Sequence, residues 1–164
     1  MNWDAVTAIA TALSTVVIAV GGGVAVYQLS EGRRASQFDA TQRMINSLLE
    51  DRFIEAVHVV MNDLSKRLQD PEYAAALANS RGWDVDPAKH PELVVLARLE
   101  EVGTYARHGL ISTDALLDFN AEFILQAWEH LLPVVELTRR SHRNPHVWKN
   151  TEFLYNRARA VRRD

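Results

Sequence analysis

Between Ala5 and Ser30 the chain carries no charged side chain, and most of the run is Ala, Val, Ile, Leu and Gly. A helix rises ~1.5 Å per residue, so a run of this length reaches roughly 39 Å, enough to cross a hydrocarbon core of ~30 Å even when tilted. The run is read as a membrane span, and residues 1–30 as an N-terminal transmembrane anchor. A cleavable secretory signal would place Lys or Arg ahead of a shorter apolar core, whereas Met1-Asn2-Trp3-Asp4 precedes this one, so the segment is expected to stay attached. Trp3 and Tyr27 fit the two headgroup levels, where an amphipathic ring has one wet and one dry side. Arg33 and Arg34 follow the run, while only Asp4 precedes it. Positive charge is retained on the cytoplasmic side, which predicts the N-terminus outside and residues 31–164 on the cytoplasmic side of the membrane.

Small residues within the run are ordered. Ala5, Ala8, Ala12, Thr15, Ala19 and Gly22 follow a spacing of 3, 4, 3, 4, 3, which places them on one stripe of a helix. Lipid gains nothing from small side chains, but a neighbouring helix approaches closely over them and gains dispersion contacts. The stripe therefore predicts other transmembrane helices as partners, with Leu13, Val16, Val17, Val20 and Val24 turned to the bilayer.

The 134 residues after Ser30 are a normal size for one domain, and no long flexible linker divides them. The chain has no Cys, which excludes disulfides, thiolate metal sites and Cys nucleophiles. Apolar residues recur near every 3.6 positions from Ala35 to Gln69, among them Phe38, Ile45, Leu48, Phe53, Ala56, Val60 and Leu64, which predicts one long helix. Pro71 opens a short helix to Asn79, and Ser80 to His90 reads as loop. Pro91 starts a helix through Leu93, Leu96, Leu99, Val102 and Ala106 that Gly109 terminates. Ser112 caps the next, which runs through Leu117, Phe119, Phe123, Ile124, Trp128 and Leu131 until Pro133 kinks or divides it. Asn144-Pro145 reads as a cap and N1 proline opening a last helix with Trp148, Phe153 and Leu154. The expected fold is all-α, a bundle of about four main helices behind the anchor.

Tyr27-Gln28-Leu29, the run Leu99-Glu100-Glu101-Val102-Gly103 leading to Gly109-Leu110-Ile111, Trp128, Arg139-Arg140 and Trp148-Lys149-Asn150-Thr151-Glu152-Phe153-Leu154 together resemble a bacterial family of single-span proteins catalogued as a domain of unknown function. The resemblance covers nearly the whole chain. It implies a short N-terminal anchor and a cytoplasmic helical domain, and it carries over no catalytic residue.

Chemistry must be sought in the residues themselves. Glu55-x-x-His58 places a carboxylate and an imidazole on one helical face, the unit of di-iron bundle sites, but no second Glu-x-x-His accompanies it. Glu100, Glu101, Glu122 and Glu129 offer further oxygens without that second histidine. His142 and His146 are separated by Asn144-Pro145, which denies them the helical geometry of a zinc pair, and His130 reads as a packed or surface residue. No Gly-x-Ser-x-Gly turn supports a hydrolase and no Gly-rich loop a phosphate site. No catalytic residue, metal or cofactor is therefore expected.

Charge is strongly polarised. Residues 50–136 hold 7 Lys or Arg against 16 Asp or Glu, net −9, whereas 138–164 hold 8 against 2, net +6. Arg157, Arg159, Arg162 and Arg163 can pair with acidic helices of their own domain, touch anionic headgroups or meet an acidic partner, while the acidic body disfavours nucleic acid. The expected role is a non-catalytic accessory or scaffolding subunit of a larger membrane complex, whether energy-transducing or transport. A membrane-tethered sensor or adaptor that binds a soluble partner is the alternative, and a metal-dependent enzyme using Glu55 and His58 the third.

Overall fold

The computed structural model describes Gln28, Gly32 and residues 36–48, 50–79 and 86–162. The chain divides into two compact units, Met1–Asp39 and Ala40–Asp164. Of the first, Gln28, Gly32 and residues 36–39 are described, and all are helical. The small-residue stripe, Trp3, Tyr27, Arg33 and Arg34 lie outside the described residues, as does Arg163. Among the described residues no helix is long and apolar enough to cross a membrane.

The second unit is all-helical where described: α1 (residues 40–47), α2 (Asp51–Asn62), α3 (Leu64–Arg67), α4 (Pro71–Asn79), α5 (Pro91–Arg107), α6 (Thr113–His142) and α7 (Lys149–Val161). Helix α5 is central, packing on α2 and α7, and α6 closes the bundle against α7, α4 and α2. Val95, Leu96, Leu99 and Val102 of α5 are essentially inaccessible to water. They share a single apolar core with Val60 and Leu64 and with Leu154 and Ala158. Phe53 meets Phe123 edge-on at 6.0 Å between α2 and α6, and Trp128 stacks on Tyr155 at 5.4 Å between α6 and α7.

Several boundaries follow local signals. Pro91 occupies the first turn of α5, and Gly109 at φ 66° ends it, with Leu110 N–H donating to Tyr105 and Gly109 N–H to Ala106 in a Schellman closure. The Ser112 hydroxyl accepts from Ala115 N–H at the head of α6.

Other boundaries differ from expectation. The long helix over 35–69 is interrupted at Leu48 and Glu50 and again at Asp63. The buried positions show why: Thr41 and Leu48 keep a heptad phase, but among the described residues the next buried one is Phe53 rather than Arg52, and a break absorbs the one-residue slip. Pro133 does not divide α6, which runs unbroken for 30 residues. Pro133 and Glu129, whose carbonyl loses its donor, are both exposed, which puts the interruption on the outer face of α6. The last helix begins at Lys149, not after Asn144. The Asn144 carboxamide instead accepts from His146 N–H and closes a turn. Phe38 and Phe119, read as core-facing, are 68% and 79% exposed. Phe119 falls roughly 200° around α6 from the buried Leu117.

Candidate functional site

Two polar clusters lie inside this apolar bundle, and both centre on a glutamate of α5. The first holds α7. Trp148, at φ 61°, gives α7 no side-chain cap. The cap comes from α5: Glu100 Oε2 accepts from the N–H groups of Asn150 (3.0 Å) and Thr151 (2.8 Å) and from the Thr151 hydroxyl (3.0 Å). Glu100 Oε1 accepts from Asn150 Nδ2 at 3.0 Å. A carboxylate against the free N–H groups of a helix start satisfies orphan donors and the positive end of the dipole together. Asn150 Nδ2 also donates to Thr104 Oγ1, and Arg107 donates to Asn150 Oδ1. Gly103, on the same face, lets α7 approach, because a Cβ there would run into the Asn150 carbonyl, 2.6 Å from its carbon. Arg139 completes the clamp from α6, donating to the Val147 carbonyl at 2.9 Å and to Glu152 at 2.7 Å, while Trp148 Nε1 donates to Thr138.

The second cluster surrounds Glu92, in the first turn of α5 and fully inaccessible to water. The Tyr73 hydroxyl donates to Glu92 Oε2 at 2.7 Å, and His90 Nδ1 lies 2.9 Å from Oε1. The Tyr73 and His90 rings stack obliquely at 4.4 Å. Burial pushes the Tyr73 phenol well above the ordinary tyrosine range, and the hydrogen bond to Glu92 adds to the rise, while the positive charge of Arg67 opposes it. A buried carboxylate is costly unless its oxygens are served, and here both are.

Arg67 also lines a surface groove of about 460 Å³ with Arg52, Glu55, Pro87, Ala88 and Val94. A neighbouring cavity of about 370 Å³ shares Arg52, Pro87 and Val94 and extends along α5 to Arg98 and Glu101. Arg98 pairs with Glu101 at 3.0 Å and with Glu50 at 3.5 Å. Among the described residues Arg52 and Arg67 pair with no carboxylate.

The residues singled out in the sequence are dispersed. Glu55 and His58 are both exposed on α2, and Glu100 is bound to α7. Among the described residues no group of three or more His, Asp or Glu side chains is placed to hold a metal ion. His130 and His146 are exposed. Of the basic tail, Arg157 lies 3.7 Å from Asp114 and Arg162 3.4 Å from Glu122, surface pairs worth little individually, and Arg159 is exposed. The sequence reading missed Tyr73, His90 and Glu92, and it named Asn150 and Thr151 only within the run that carries the family resemblance. Glu92 beside Pro91 carried a signal only for a helix start, and nothing local announces its burial.

Comparison with curated proteins and with solved structures returned no match. The family model described as Domain of unknown function (DUF4760) matches residues 15–158, a span that takes in Glu92, Glu100, Gly103, Arg139 and the α7 motif. The chain belongs to the DUF4760 family.

Proposed function

We propose that this chain is a non-catalytic accessory or scaffolding subunit of a larger bacterial membrane complex, anchored by one span within residues 1–30, with residues 31–164 on the cytoplasmic side. The observation that carries the reading is the uncharged run from Ala5 to Ser30 with Arg33 and Arg34 behind it. The clamp of Glu100, Asn150, Thr151 and Arg139 supports it as well, since these polar groups are engaged in fixing helices to one another. A rigid helical body suits holding more than turnover.

The test lies in the small-residue stripe. Ala12→Leu or Ala19→Leu should expel a partner helix and reduce co-purification from mild detergent, while Val16→Leu and Val20→Leu on the opposite face should leave it intact. Equal loss from both faces would count against a helix seam. The sensor or adaptor reading has a different observation in its favour, the buried cluster in which Tyr73 of α4 and His90 meet Glu92 of α5.

A further inference from the structure

The turn between α5 and α6 puts a leucine into water. Gly109, at φ 66°, closes α5, and Leu110 follows it, its N–H donating to the Tyr105 carbonyl. A residue at that place in a Schellman closure ordinarily packs back on its own helix, yet Leu110 is 55% exposed. The apolar surface continues inward from it, since Leu110 lines a cavity of about 300 Å³ with Met44 of α1, Tyr105 and the buried Ile111. Arg43 lines the same cavity and is exposed, and Arg107 and His108, also exposed, lead into the turn. Asp39, four residues before Arg43, subtracts from this charge, while Asp114 at the head of α6 is met by Arg157 at 3.7 Å.

What such a corner meets follows from its place in the chain. Thr41 Oγ1 accepts from Ser112 N–H at 3.0 Å, which fixes the α5–α6 turn to the head of α1. Thr41 stands eleven residues after Ser30, where the uncharged run ends. Eleven residues reach ~16 Å as helix and ~38 Å fully extended. With the run anchored in a bilayer, this corner is held near the headgroups at an effective concentration on the order of millimolar, so a contact too weak to recruit a free protein is populated. A leucine beside guanidinium groups suits that surface, because the apolar side chain enters the boundary of headgroups and acyl chains while the cations meet phosphate oxygens.

We propose that the α5–α6 turn docks on an anionic lipid surface, with Leu110 entering the interface and Arg43 and Arg107 meeting headgroup phosphates. The proposal rests on the anchored reading and adds to it the corner by which the helical domain touches the membrane.

The experiment uses the full chain reconstituted into phosphatidylcholine vesicles with about 30% phosphatidylglycerol. The sequence has no Cys, so His108→Cys carries a single fluorophore in the turn while Leu110 stays in place. Leu132→Cys carries the control, at a position 36% exposed on α6 and ~28 Å along that helix from its start. Quenching by a spin-labelled lipid should be strong at position 108 and at background at position 132. Leu110→Ser should weaken docking about tenfold and Arg43→Gln about fivefold, and vesicles of phosphatidylcholine alone should bring it to the control level. Circular dichroism verifies that the helices persist in each variant. Quenching at position 108 no greater than at position 132, or equal in neutral and anionic vesicles, overturns the proposal, as does docking indifferent to both substitutions. Alkaline carbonate extraction separates the two readings: a released chain is not anchored and both fall, whereas a retained chain with a silent probe at position 108 sinks the docking alone.

Discussion

Gly103→Ala reverses an ordinary rule. In a helix interior this exchange normally stabilises by ~1 kcal/mol, because Ala loses less backbone freedom on folding. Gly103 lies deep in α5, where the added Cβ would run into the Asn150 carbonyl, lying 2.6 Å from its carbon and 3.0 Å from its Cβ. The obstacle is mostly backbone, so no rotamer change relieves it, and the head of α7 must move away. Overpacking of this kind costs ~1–3 kcal/mol. The same movement strains the bonds from Asn150 and Thr151 to Glu100, now 2.8–3.0 Å, and each hydrogen bond to a charged group contributes ~1.5–3 kcal/mol. Weakening one of them and subtracting the propensity gain leaves a net loss of about 2–4 kcal/mol. That corresponds to a fall in Tm of roughly 10 °C for a unit of this size. Thermal and urea unfolding followed by circular dichroism would measure it. A Gly103→Ala variant as stable as the parent would refute the proposed α5–α7 approach, since the propensity term alone predicts a gain.

The remaining expectations use different parts of the molecule. Trp128 is buried and stacked on Tyr155, so Trp128→Ala should destabilise the domain by ~3–5 kcal/mol in urea titration. Tyr73 keeps its proton more tightly folded than unfolded, so its contribution is complete below the ordinary tyrosine value near 10 and declines as pH rises above it. Stability measured across that alkaline range should fall less steeply in Tyr73→Phe. A reporter fused after Asp164 should be active in the cytoplasm, and replacing Arg33 and Arg34 with Glu should weaken or invert that preference.

What was legible in the sequence was the punctuation. Pro91, Gly109 and Ser112 act within one helical turn of themselves, and each stands at the boundary it predicts. Asn144-Pro145 carries equally strong local signals, yet the chain there is held by Arg139 on Val147 and by Glu100 on the start of α7, so the helix opens four residues beyond Pro145. The interruption at Leu48 and Glu50 has no Gly or Pro beside it and is dictated by which residues the core accepts. The functional candidates were hidden for the same reason. Glu100 and Thr151 stand fifty-one residues apart and Tyr73 and Glu92 nineteen, separations that no periodicity connects. Glu55-x-x-His58 was visible because its spacing is local, and the structure leaves both side chains in solvent.

The most direct test of the subunit reading is quantitative co-purification of the full chain from native membranes in mild detergent. The account predicts recovery in the membrane fraction at a fixed ratio to other membrane-spanning chains, unchanged by Glu55→Ala/His58→Ala. Recovery of the chain alone, from membranes or from the soluble fraction, would contradict it.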